Sequence, residues 1–185
     1  PEIAAFVAFL AERRPRRFLE WGSGVSTIYY PREFPDIMWT ALESDEAWFN
    51  EVRKRVAPQV TVIWLKPPEY YDLARHHLGK FDLILVDGAP KTRPQCLSKA
   101  RSMLNPGGSV ILHDASHPPY AAAARALYRR VTVLAEPNAA GKRGITFAVD
   151  IEAAGEIAAA IRLFRPEGAP YTALCWLARR PIASA

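Results

Sequence analysis

At 185 residues, half of them hydrophobic, the chain has the length of one domain, 1–185, with a core large enough to fold without disulfide or metal staples. No apolar run approaches the ~20 residues of a membrane-spanning helix, and Cys96 and Cys175 lack metal-ligand spacing and read as reduced thiols. The net charge of +5 invites a polyanion as partner.

That charge is divided among short clusters: Arg13 to Arg17, Arg53 to Arg55, Arg129 and Arg130, Lys142 and Arg143, and Arg179 and Arg180. Several fall where helices should end, the position the helix dipole favours for cations. No DNA- or RNA-binding module accompanies them, so they read as solvated surface, and nucleic acid is not the expected partner. The sequence given begins at Pro1 and shows no secretory-signal pattern. A cytoplasmic protein with no membrane partner is expected.

Residues 2–13 place apolar side chains at helical spacing, ahead of a short buried strand at Arg17, Phe18 and Leu19. Glu20, Trp21, Gly22, Ser23 and Gly24 follow as a turn in which glycine lets a ligand approach the backbone. Residues 25–30 then start a helix whose first N–H groups face that ligand. Segment 37–48 (IMWTALESDEAW) reads as a strand closing on Glu43, with Asp45 as a helix cap. An acid about 20 residues beyond the glycine loop is where a doubly wound sheet places the carboxylate that accepts ribose hydroxyls, and Glu43 fits that place.

A third strand at 59–65 (QVTVIWL) is followed by a helix carrying His76 and His77, read as surface residues. The clearest strand is 81–90 (FDLILVDGAP), an apolar run of the kind a strand buried on both faces requires. It stops on Asp87, and ligands of open α/β sheets bind outside such carboxyl ends. After a helix at 95–104, LNPGGSVILHDAS supplies a turn and a fifth strand ending on His113 and Asp114. A helix at 121–130, strands at 131–136 and 145–151, a helix at 153–164 and an apolar run at 171–178 complete the chain. This alternation predicts a doubly wound, mostly parallel α/β sheet with helices on both faces.

The Glu20-Trp21-Gly22-Ser23-Gly24 turn, the order strand–Asp87-Gly88, helix, LNPGG and strand–His113-Asp114 together resemble the class I S-adenosyl-L-methionine (SAM)-dependent methyltransferases, nearest to small-molecule O-methyltransferases. The match runs from about residue 17 to 115. The resemblance implies a Rossmann-like sheet of seven strands with the last antiparallel, SAM as cofactor, and methylation of a small-molecule oxygen. It further implies that Gly22, Ser23 and Gly24 lie against the cofactor's methionine part, that Glu20 orients the loop and the cofactor's amino group, and that Asp87 faces the reacting centre. Adenine contacts have no matching acid-containing turn after the third strand; Trp64 or Leu65 is the nearest candidate.

Two mechanisms stay open. In one, Asp87 and Asp114 hold a divalent cation such as magnesium, as in the catechol-type enzymes this chain resembles. Those enzymes carry an Asn or Asp directly after the fifth-strand acid, where this chain has Ala115; Ser116 or a water would have to substitute. In the other, His113 is a general base oriented by a neighbouring carboxylate. Adjacent strand residues face opposite ways, so His113 and Asp114 reach one site only if the strand has already ended.

Rival readings are a non-catalytic SAM-binding domain, an RNA-modifying methyltransferase, and a nicotinamide-dependent dehydrogenase, the last disfavoured by Thr27 where its glycine motif needs a third glycine. His117-Pro118-Pro119-Tyr120 resembles in letters the turn that base-methylating enzymes use, but it does not end the fourth strand and reads as a helix start with proline in the first turn. A homo-oligomer is left open.

Overall fold

The computed structural model describes residues 2–115, 117–133 and 146–149. Helix α1 (Glu2–Arg13) precedes five strands, β1 (Arg17–Trp21), β2 (Met38–Glu43), β3 (Val60–Trp64), β4 (Phe81–Val86) and β5 (Leu104–Leu112). Between them lie α2 (Val25–Glu33), α3 (Glu46–Val52), the short α4 (Glu69–Asp72) and α5 (Arg93–Ser102), and α6 (Pro118–Leu127) follows β5. The five strands form one parallel sheet in the order β3-β2-β1-β4-β5. At its far edge Thr146–Val149 (β7) pairs antiparallel with β5 and with Arg130–Val133 (β6).

Strand alternation divides the side chains between two cores. On β1 and β4, Leu19, Trp21, Ile84 and Val86 face a layer made by α4, α5 and α6, where Tyr70, Leu97 and Tyr120 are buried. Phe18, Leu83 and Leu85 face the opposite layer with Phe6, Phe9 and Leu10 of α1 and Trp39 of β2. Trp21 is fully buried and its Nε1 donates to the Tyr70 carbonyl at 2.8 Å. Its loss would cost roughly 3–5 kcal/mol, and it pins the end of β1 against the segment leading to β4.

The switch in chain direction lies at β1, flanked by β2 and β4, so the loops after β1 and β4 open the crevice where ligands bind in such sheets. Several bounds differ from expectation, the first at β1, which runs on to Trp21 so that Glu20 and Trp21 lie in the strand and not in the turn. The helix expected at 95–104 is Arg93–Ser102, because Pro94 suits the first turn and Leu104 already pairs with Phe81. His76 and His77 do not lie on a helix, since α4 ends at Leu73, which has φ 53°. The late helix is Pro118–Leu127, capped at His117, which settles the HPPY segment as a proline-rich helix start. The helix expected at 153–164, the apolar run at 171–178, Ser116, Cys175 and the clusters at Lys142 and Arg179 lie outside the described residues. Among the described residues no helix is long and apolar enough to cross a membrane.

Candidate active site at the carboxyl ends of the strands

Two glycines let the ends of β1 and β4 touch. Gly22 has φ 94°, and a Cβ there would lie 2.6 Å from the Gly88 Cα. A Cβ on Gly88 would lie 1.9 Å from the Tyr70 hydroxyl. The Gly22 N–H donates to the Leu42 carbonyl at 2.8 Å and the Asp87 N–H donates to the Trp21 carbonyl at 2.8 Å, so β1, β2 and β4 are tied together where they open. Gly24 differs: its backbone is extended and nothing lies within 4 Å of where its Cβ would point. That open space above the loop is what a ligand lying on the backbone needs.

Glu20 and Glu43 brace this loop from below and beside it. Alternation along β1 turns Glu20 to the face opposite Trp21, where it is fully buried. It accepts from the hydroxyls of Ser26 and Thr27 (2.7 Å for Thr27) and from Trp39 Nε1 at 3.0 Å. The Thr27 hydroxyl in turn accepts from the Gly24 N–H at 2.9 Å, so the acid, the helix start and the glycine loop form one chain of bonds. Burial pushes the Glu20 carboxyl up from 4.5 to about 7, against the pull of those three hydrogen bonds and with a smaller push from Asp87. Glu20 thus holds the loop from within the fold and does not line the cleft.

Glu43 is buried at the end of β2 with both oxygens engaged. One accepts from the Ser23 N–H at 3.0 Å and the Ser23 hydroxyl at 2.9 Å, the other from the Ser44 and Asp45 N–H groups at 2.7 and 2.9 Å. Asp45 caps α3, its Oδ1 accepting from the Trp48 N–H at 2.8 Å. Trp48 was not visible as a site residue in the sequence: its Nε1 donates to the Ser23 carbonyl at 2.7 Å while its ring stays 45 % exposed over the loop. Of the adenine candidates, Leu65 is buried and Trp64 is half-buried with Lys66 Nζ 4.8 Å from its ring centroid.

Asp87, His113 and Asp114 converge, each side chain about one-third exposed. They do so because β5 ends at Leu112 and Asp114 takes φ 55°, so the two neighbours no longer alternate. His113 Nδ1 stands 3.0 Å from Asp87 Oδ1 and 3.6 Å from Asp114 Oδ2. The group sequence reasoning missed is Arg93, the first residue of α5. Its guanidinium, 7 % exposed, donates to Asp87 Oδ1 at 3.0 Å and Asp114 Oδ2 at 3.2 Å. It also donates to the carbonyls of Gly88, Asp87 and His113 at 2.9, 3.2 and 3.0 Å.

The residues present do not fit the divalent cation that the catechol-type mechanism requires. Both carboxylates already face a guanidinium, Ala115 offers no side-chain oxygen, and no cluster of three or more His, Cys, Asp or Glu suited to a metal exists among the described residues. A dinucleotide or nucleoside cofactor is better served. The loop at Gly24 is bare, the Glu43 carboxylate is bonded to Ser23 beside it, and Gly22 packs on Gly88 directly after Asp87.

No family model matches the chain, and no curated protein matches it. Solved structures do. An O-methyltransferase from Bacillus cereus in complex with SAH superposes with a TM-score of 0.65 at 21% identity, over 82% of this chain and 81% of that one. TomG from Streptomyces achromogenes, an O-methyltransferase of tomaymycin synthesis bound to SAM, gives 0.60 at 19% identity over 82% and 79%. Cofactor-bound Rv0187 from MTB gives 0.64 at 22% identity over 80% and 78%. The chain therefore has the α/β fold of these O-methyltransferases, a five-stranded parallel sheet flanked by helices.

Proposed function

We propose that the chain is a SAM-dependent methyltransferase that methylates an oxygen of a small molecule. The observation that carries this reading is the convergence of Asp87, His113 and Asp114 at the strand end that packs against the Gly22–Gly24 loop through Gly88. The neighbours bound to SAM and SAH support the choice of cofactor. On the same footing we read β6 and β7 as the last two strands of a seven-stranded sheet with its last strand antiparallel, in a single domain of a cytoplasmic protein.

When bound, the cofactor supplies an electrophilic methyl group for in-line displacement by the acceptor oxygen. The backbone of Gly22, Ser23 and Gly24 would hold its amino-acid part, and Glu43 would accept from its ribose hydroxyls. All four acceptor positions of Glu43 are taken in this conformation, so the rotatable Ser23 hydroxyl gives up its place. His113 takes the acceptor's proton, while Asp87 holds the ring and balances the charge it gains. Alignment of donor and acceptor supplies most of the acceleration in such a displacement.

The position of the basic clusters among the described residues favours a small acceptor over RNA. Arg17 starts β1, Arg53 and Arg55 follow α3, and Arg129 precedes β6, all at the amino-terminal edge of the sheet, opposite the site. A calorimetric titration with SAM, SAH and NAD tests the reading. Selective binding of the first two at micromolar concentration supports it, and preference for NAD or no binding overturns it. A panel of phenols, carboxylic acids and an RNA hairpin then tests the acceptor class.

A further inference from the structure

We infer that Arg93 does the work of the divalent cation in this site, so that the catalytic mouth assembles without metal. The inference rests on the methyltransferase reading for its consequence but not for its geometry. A guanidinium carries five N–H donors in a rigid fork, and here five contacts are made: two to the carboxylates of Asp87 and Asp114 and three to backbone carbonyls at the ends of β4 and β5. It is set in place on the far side by Tyr120, whose ring centroid is 5.3 Å from the guanidinium carbon and whose hydroxyl donates to the Pro90 carbonyl at 2.9 Å. Such a clamp does three things a bound cation would do. It draws two strand ends together, it neutralises one of two neighbouring carboxylates, and it fixes both beside His113.

The guanidinium takes one oxygen of each acid, Asp87 Oδ1 and Asp114 Oδ2, and sets a permanent positive charge against any metal there, while Ala115 adds no side-chain ligand. Arg93 is buried, so it is a positioning residue, acting on the acceptor through Asp87, Asp114 and His113.

The test uses the full chain stripped of metal, with Mn2+ as probe, read by electron paramagnetic resonance, and melting temperature and SAH titration read alongside. The wild type should leave millimolar Mn2+ free, with SAH affinity and melting temperature unchanged by chelator. Arg93→Met should lower the melting temperature and raise Mn2+ affinity about tenfold or more as the carboxylate pair is uncovered, and that gain should vanish in Arg93→Met with Asp87→Asn. Should Arg93→Met fail to fold, Arg93→Lys keeps the charge without the fork, and it should fold with a lowered melting temperature and still exclude Mn2+.

Stoichiometric Mn2+ uptake by the wild type, lost in Asp114→Asn, would overturn the inference. So would Arg93→Met or Arg93→Lys melting as the wild type does. Failure of SAH to bind any of these proteins would sink the methyltransferase reading, while the Mn2+ and melting data would still decide the clamp.

Discussion

Replacing Glu43 by glutamine separates its two duties, holding the loop and meeting a ribose. The carboxylate accepts four bonds, from Ser23 N–H and hydroxyl on one oxygen and from Ser44 and Asp45 N–H on the other. Glutamine keeps one oxygen for the Ser44 and Asp45 pair and turns an amide nitrogen toward Ser23. The Ser23 hydroxyl can rotate to accept from it, but the Ser23 N–H loses its partner. One unsatisfied buried N–H and weaker bonds elsewhere should cost about 2–3 kcal/mol of stability. In the bound state an arriving ribose hydroxyl finds no acceptor, and the loss of a charge-assisted bond, roughly 1.5–3 kcal/mol, weakens SAH binding about tenfold to a hundredfold. Ser23→Ala is the control. It removes the hydroxyl that occupies the ribose position at a cost of about 1 kcal/mol in stability, so SAH affinity should hold or improve. The assays are calorimetric titration and urea unfolding of each variant. If Glu43→Gln binds SAH as the wild type does, Glu43 is only a loop tie; if Ser23→Ala binds as poorly as Glu43→Gln, the displacement argument is wrong.

Glu20 makes stability depend on pH. Its carboxyl is raised from 4.5 to about 7, so the folded state prefers it protonated. That preference is fully present below pH 4.5 and is lost as pH rises through 7, by about 3 kcal/mol. Urea unfolding should therefore show a more stable protein at acid than at alkaline pH, with the slope flattened in Glu20→Gln; an equal slope in both proteins would assign the effect elsewhere. Gly22→Ala and Gly24→Ala should part company. The first forces a Cβ to within 2.6 Å of Gly88 at positive φ and should destabilise the fold by several kcal/mol, whereas the second meets nothing within 4 Å and should melt as the wild type does. Gly24→Ala should nevertheless weaken SAH binding if the cofactor lies on that backbone, and unchanged affinity would move it off the loop. Asp87→Asn keeps a carbonyl for Arg93 and should lower turnover about a hundredfold with a small loss of melting temperature, whereas a large loss with turnover intact would make Asp87 structural.

The strand ends were legible because a strand buried on both faces must be an uninterrupted apolar run, so the first polar residue marks where it leaves the core. Glu43, Asp87 and His113 each stand at such a boundary. The inward turn of Glu20 was also readable from the two-residue period, since it shares a face with Phe18 and not with Trp21. Arg93 was not legible. Between Lys91 and Pro94 it looks like one more solvated cation, and the partners that hold it come from two strand ends, Asp87 and Gly88 just before it and His113 and Asp114 some 20 residues on. One signal was present: a cation at the first position of a helix opposes the dipole there, so something outside the helix has to hold it. Trp48 gave no comparable sign, because its bond to the Ser23 carbonyl depends on how α3 is set against the loop.

The charge balance of the mouth follows from that clamp. The two carboxylates and one guanidinium beside His113 sum to a single negative charge, which favours a cationic sulfonium over a neutral ligand. A divalent cation in addition to Arg93 would reverse the sign of the mouth and set like charges against each other. Exchanging Arg93 for a metal would preserve attraction between the strand ends, but the positive charge would then be exposed where the acceptor binds. With the guanidinium 7 % exposed, the cation stays behind the carboxylates, and both acids face the Nδ1 of the partly exposed His113. That ordering, cation inside and His113 outside, makes His113 the group whose replacement should abolish turnover while leaving SAH affinity and the Arg93 clamp, which bonds only its backbone carbonyl, in place.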